Sequence, residues 1–222
     1  MNAIELTGAT FAYTGAKTPA LADITFAAAR GELVALAGHP GSGTSTMLLV
    51  AGGYAPRVVG GELSGSRSIG AQRPAIVFAT PWTQLTGLCH TVFSEVAFGP
   101  ASHGLGVPRI REVVQRQLER LNVAHLAERD PSTLSGGELQ RVIVAAALAL
   151  EPDLLLLDDP AAELDPEAAD RLYDMLAGIA GEGVAVLVAT PDVERAARVA
   201  SRGVGLKAGR MVYDGPPSGL DA

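Results

Sequence analysis

Leu33-Val34-Ala35-Leu36-Ala37-Gly38-His39-Pro40-Gly41-Ser42-Gly43-Thr44-Ser45-Thr46 is the stretch from which the rest of the chain can be read. The apolar run 33–37 has the continuous character of a strand buried in a parallel sheet. Gly38 and Gly43 then stand at the spacing of a phosphate loop, and the hydroxyl pair Ser45-Thr46 opens a helix expected to run to about Ala51. In that arrangement the backbone N–H groups of residues 41–46 converge at a helix N-terminus, where the dipole favours an anion. The glycines, with Ser42 between Gly41 and Gly43, allow a tight turn, and the Ser45 hydroxyl is placed to hold Mg²⁺. The position that lysine occupies in such loops is Thr44. A plain glycine turn remains the alternative from this stretch alone.

Around the loop the chain alternates strand and helix patterns. Residues 3–13 and 24–26 read as strands, 58–78 as a short hairpin followed by the strand 75–78, and 79–108 as a long connection holding a short helix near Val92–Val96. Ile110, Val113, Val114, Leu118 and Leu121 fall on one helical face over 109–122. A largely apolar helix is expected over 136–150. The apolar strand 153–158 closes on Asp158, a helix follows Pro166, 184–189 is another buried strand, 192–201 a helix and 203–213 a terminal hairpin around Gly209. Strands alternating with helices imply a parallel sheet covered on both faces, with ligands at the carboxyl ends of the strands. The glycine loop and Asp158 both lie at such ends. No internal repeat or linker is evident.

The second informative stretch is Leu134-Ser135-Gly136-Gly137-Glu138-Leu139-Gln140-Arg141. Ser135 suits a helix cap. Two glycines in the first turn are a poor choice for helix stability alone, so the pattern asks for close approach of something to the helix start.

Composition narrows the field. The chain has 222 residues, enough for one large domain, and a net charge of −7. No basic run exists, which argues against a nucleic-acid partner. Cys89 is the single cysteine, so an internal disulfide is impossible. No charged-then-apolar leader opens the chain, and the longest apolar run, 142–150, is too short to span a bilayer. Work at a membrane would require docking onto another chain.

Residues 134–141 match the signature motif of ATP-binding cassette (ABC) ATPases, and with the loop and Asp158 the whole chain resembles that family. The resemblance implies an α/β fold: a P-loop NTPase (RecA-like) core with a parallel sheet, an antiparallel β subdomain and an inserted helical signature subdomain at about 84–150, all within a single domain over 1–222. It implies ATP and Mg²⁺ as ligands, with Gly38, Gly41, Ser42, Gly43, Thr44, Ser45 and Thr46 around the phosphates and Ser45 and Asp158 on the metal. Tyr13 matches the aromatic that stacks on adenine, although an ordinary core or edge tyrosine is an equal alternative. Ser135, Gly136, Gly137 and Gln140 would face a nucleotide held by a second subunit, and Asp165 would contact that subunit unless it is simply the cap before Pro166. Gln84-Leu85, residues 96–100 and Tyr213-Asp214-Gly215-Pro216 resemble the energy-coupling-factor branch, which drives vitamin and metal-ion uptake. Members of that branch often continue further, which implies a C-terminal extension missing here.

At four catalytic positions the chain departs from the family. Thr44 replaces the loop lysine, Ala79 the glutamine that touches metal and water, Asp159 the water-orienting glutamate, and Pro191 the switch histidine. Loss of one ion-to-phosphate hydrogen bond costs about 1.5–3 kcal/mol, and a misplacement of about 1 Å can cost on the order of a hundredfold in rate. The expectation is therefore an ABC subunit with an impaired site of its own, its catalytic role reduced to Asp159 as a weakened base. It would pair with a complete ATPase and with transmembrane subunits, through 79–100 with Trp82 and Leu85, at the inner face of the cell membrane. A working homodimeric ATPase and a non-hydrolytic interaction module are the alternatives.

Overall fold

The computed structural model describes residues 1–220. The chain divides into two compact units: residues 1–76, 153–159 and 173–222 form one, and residues 77–152 with 160–172 form the other.

The first unit holds two sheets. Strands β1 (Asn2–Tyr13), β2 (Leu21–Ala29) and β4 (Gly61–Ile69) form an antiparallel sheet in the order β2-β1-β4. The other sheet orders β5 (Pro74–Val77), β6 (Leu154–Asp158), β7 (Ala185–Ala189), β3 (Leu33–Ala37), β8 (Arg202–Lys207) and β9 (Arg210–Gly215). β3 pairs in parallel with β7 and β8, β6 pairs in parallel with β7, and β9 pairs antiparallel with β8. Every residue of β3 and β7, and Leu154–Leu157 of β6, is buried, as unbroken apolar runs demand when both faces are covered. Helix α1 (Thr44–Ala51) packs Met47, Leu48 and Val50 into the same core as Ile4, Phe11, Val34, Leu36 and Leu156.

One expectation fails here. Residues 58–78 do not form a local hairpin. β4 pairs with β1 from Tyr13↔Gly61 to Ile4↔Ile69. Alternation along 61–69 marks a strand but carries no information on its partner, and β1 offers a free edge beside β2.

The second unit is helical. α2 (Val92–Ser102) and α3 (Val107–Arg120) both pack on α4 (Gly136–Ala149). α2 is longer than the short helix expected near 92–96. Thr91 and Ser94 close a capping box at its start, and Val92, Val96 and Pro100 recur at helical spacing and are buried. That buried stripe outweighs the hydrogen bond Pro100 cannot make. α5 (Pro166–Gly181) begins in this unit and ends in the first, and α6 (Val193–Val199) belongs to the first. Among the described residues no helix is long and apolar enough to cross a membrane.

Candidate functional site

The glycine loop leaves β3 and enters α1 as the sequence requires. Gly43 caps the helix in the left-handed region, φ 107°, where only glycine is at ease. A Cβ on Gly38 would stand 2.4 Å from Ser42 Oγ and 2.6 Å from the Leu206 carbonyl, so the loop start is packed too closely for any side chain. The Gly209 N–H donates to the Ser42 carbonyl at 2.8 Å, which ties the β8–β9 turn to the loop. The Ser42 hydroxyl is buried and, among the described residues, has no hydrogen-bond partner. It belongs to the wall of a cavity of about 680 Å³ that the loop shares with Lys207, Val212, Tyr213 and Leu220. Lys207, one of the chain's two lysines, lines this cavity beside the loop. Nothing local in the sequence signals this, because 165 residues separate it from Ser42.

Thr46 is buried, and its Oγ1 lies 2.9 Å from the Tyr13 hydroxyl. Tyr13 also meets Phe11 edge-on, with ring centroids 5.0 Å apart. Its ring is thus held by β1 and by the first turn of α1. Ser45 is exposed, and its hydroxyl comes close enough to Asp158, at the end of β6, to favour the ionised carboxylate. Burial nevertheless raises the Asp158 pKa above the ordinary aspartate value, and the Ser45 hydroxyl only partly offsets this. Asp159 follows in a left-handed conformation, φ 43°, its N–H bonded to the Ala189 carbonyl at 2.7 Å. Its pKa is raised first by burial, then by the charges of Asp158 and Asp192. Asp192 caps α6 through the Arg195 N–H and is ion-paired with the Arg195 guanidinium. Pro191 stands exposed beside it and offers no donor.

The residues on this side of the molecule suit a magnesium-bound phosphate only in part. Ser45 and Asp158 are the hydroxyl and carboxylate that Mg²⁺ accepts when phosphate oxygens complete its shell. Among the described residues no group of three or more His, Cys, Asp or Glu could hold a metal by itself. The excess is negative: Asp159 feels the charges of both Asp158 and Asp192, and Thr44 brings no cation into the loop. Ala79, in the second unit, follows β5 with no functional group to offer. Nearby, the Phe78 N–H donates to Gln84 Oε1 at 2.7 Å.

The signature stretch forms a separate cleft in the second unit, about 360 Å³ in volume. It is lined by Ser135, Gly136, Gly137, Arg141 and, from the chain entering α5, Glu163 and Asp165. Ser135 caps α4 by accepting the Glu138 N–H, and Glu138 Oε2 accepts the Ser135 N–H and hydroxyl, each at 2.8 Å. These bonds hold Glu138 below the usual carboxylate range. Among the described residues no hydrogen bond occupies the Gly136 or Gly137 N–H. Asp165 Oδ1 accepts the Ala168 N–H at 2.8 Å, so it caps α5 and borders the cleft at once. Gln140, expected to face a nucleotide held by a second subunit, does not line the cleft: it lies fully buried on the inner side of α4, both amide atoms without a partner among the described residues. Glu163, which sequence reasoning had not singled out, crosses the helix start: a Cβ on Gly136 would lie 2.5 Å from its Oε2.

Comparison with known proteins agrees with this geometry. A family model described as ABC transporter matches residues 21–162. The chain is 34% identical over 223 residues to the energy-coupling factor transporter ATP-binding protein EcfA of Methanothermobacter thermautotrophicus, covering 96% of this chain and 71% of that one. It is 35% identical over 216 residues to the cobalt import ATP-binding protein CbiO of Rhodobacter capsulatus, covering 93% and 76%. Among solved structures it is similar to cbiO1 of Clostridium perfringens, part of the cbiONQ complex, with a TM-score of 0.85, 27% identity and coverage of 98% and 89%. It is also similar to a dimeric ATP-binding cassette bound to ADP and Pi, with a TM-score of 0.84, 25% identity and coverage of 98% and 100%.

Proposed function

Because this chain belongs to the ABC transporter family, as an ATP-binding subunit of the energy-coupling-factor type, we propose that it is the catalytically impaired half of a two-chain ATPase. The single observation that carries the reading is the contrast between its two sites. The glycine loop has Thr44 in place of a cation, and at the end of β6 Asp158 is followed by Asp159, whose carboxyl is repelled by Asp158 and Asp192. The signature cleft keeps its serine cap and two unoccupied glycine N–H groups at a helix N-terminus, the arrangement that receives a phosphate.

In this reading a complete partner subunit holds ATP and Mg²⁺ in its own loop, and this chain lends Ser135, Gly136 and Gly137 to that site. The backbone amides would orient the terminal phosphate and stabilise charge on it. Asp165 stands at the rim where the partner would contact this chain. Ser45 and Asp158 would hold Mg²⁺ in this chain's own site. That ion would neutralise phosphate charge there, while Asp159 is too short by one methylene to orient water well. Transmembrane subunits would dock on the second unit near Trp82, 44% exposed, at the inner face of the membrane.

Steady-state ATPase activity tests this. The chain alone should turn over ATP near background, and a complete ATPase encoded beside it should hydrolyse ATP when the two are mixed. Ser135→Ala should abolish that activity. Robust turnover by the isolated chain would make it a working homodimer instead. Partner activity indifferent to Ser135→Ala would leave it as an interaction module.

A further inference from the structure

We propose that Glu163 is a charge gate on the signature helix, one that admits a magnesium-complexed triphosphate and holds off the metal-free form. The inference rests on the reading that this cleft serves a neighbour's nucleotide.

Three acids line the cleft: Glu138, Glu163 and Asp165. Two are occupied by helix caps. Glu138 Oε2 accepts from Ser135, and Asp165 Oδ1 accepts from the Ala168 N–H. Glu163 is different. Its side chain is exposed and, among the described residues, its carboxylate has neither a hydrogen bond nor an ion pair. Its Oε2 and Cδ stand 2.5 and 3.2 Å from where a Cβ on Gly136 would be, and its backbone carbonyl 3.0 Å from where one on Gly137 would be. The segment before Asp165 therefore lies directly across the two glycines, and glycine at both positions is what lets it do so.

The cations of the cleft do not neutralise it. Arg141 directs its Nε to the Gly137 carbonyl at 3.2 Å, and Arg129 lies 3.7 Å from Glu138. An anion approaching the Gly136 and Gly137 N–H groups thus meets a full negative charge beside the donors that attract it. For like charges a few Å apart at a partly solvated interface, the penalty is on the order of tenfold in affinity. Mg²⁺ on the triphosphate cancels much of that repulsion, because the ion's charge dominates the local field. Salt should screen it as well.

The test is nucleotide-dependent association of the chain with its complete ATPase partner, measured with ATP in EDTA and with Mg-ATP. Glu163→Gln keeps shape and removes charge. It should strengthen association about tenfold with metal-free ATP, and clearly less with Mg-ATP or at high salt. Equal behaviour of wild type and Glu163→Gln in both conditions would overturn the gate, as would an equal gain in both. Ser135→Ala separates the two ideas. If it weakens association while Glu163→Gln does nothing, only the gate fails. If Ser135→Ala is also silent, or the wild-type pair does not associate, the shared-site reading falls and takes the gate with it.

Discussion

The Tyr13 hydroxyl lies 2.9 Å from Oγ1 of Thr46, linking the end of β1 to the first turn of the helix that follows the glycine loop. The same tyrosine is the residue expected to face adenine, so its ring and its hydroxyl have separable duties. Tyr13→Phe should cost about 1 kcal/mol of stability, the worth of one hydrogen bond, and leave nucleotide affinity nearly unchanged. Tyr13→Ala should lower both. Urea denaturation and nucleotide titration on the two variants check this.

Thr44→Lys restores an ammonium to the head of α1. A charge-assisted hydrogen bond to phosphate contributes about 1.5–3 kcal/mol, so ATP should bind the isolated chain on the order of tenfold to a hundredfold more tightly. Turnover should stay low, because Ala79, Asp159 and Pro191 are untouched. Equilibrium binding and a phosphate-release assay on one preparation separate the two effects.

Asp159→Asn should stabilise the nucleotide-free chain at neutral pH. Burial and the charges of Asp158 and Asp192 all disfavour its ionised form. Removing one like charge in such a group relieves repulsion on the order of 1 kcal/mol, which a small rise in Tm would report.

Gly38→Ala should destabilise the first unit. The new Cβ would meet Ser42 Oγ at 2.4 Å and the Leu206 carbonyl at 2.6 Å, and the carbonyl belongs to a paired strand that cannot move alone. Overpacking of this kind costs about 1–3 kcal/mol. Chemical denaturation should show it, while Gly41→Ala, where no atom lies within 4 Å, should differ through its positive φ rather than through contact.

Asp153 contributes a pH dependence of known sign. It anchors the start of β6 by accepting the N–H groups of Gln72 and Arg73, each at 2.9 Å, and by pairing with Arg30. Burial raises its pKa, but those amides and the guanidinium outweigh burial and hold it below the ordinary aspartate value. Its folded-state pKa is therefore below the unfolded one. The stabilisation is complete above the unfolded value, about 3.9, and is lost as pH falls through the folded value. Asp153→Ala should cost about 1–3 kcal/mol at pH 7, and the deficit should shrink only below about pH 4, as read from urea midpoints.

Much of the site was legible because its signals are local. The apolar run 33–37 followed by glycines at 38 and 43 needs no distant partner to declare a strand, a turn and a helix start. The same holds for Ser135 ahead of Gly136 and Gly137, and for Asp158 closing its strand. Departures such as Thr44 and Pro191 are read from the same local frames. The partner of β4 and the full length of α2 are not legible in the same way: a strand pattern does not name its neighbour, and the Val92, Val96 and Pro100 stripe declares itself only once it is seen to be buried.

By itself the sequence determined the kind of molecule this is: periodicity and glycine spacing set the order of strands and helices, and motif residues placed a phosphate loop at one point and a signature helix at another. Only the tertiary structure decided which side chains meet. It set Tyr13 on Thr46, brought Lys207 beside the loop and laid the Glu163 carboxylate over Gly136. Such meetings join residues tens of positions apart, and they depend on how packed elements close on one another, which no local pattern encodes.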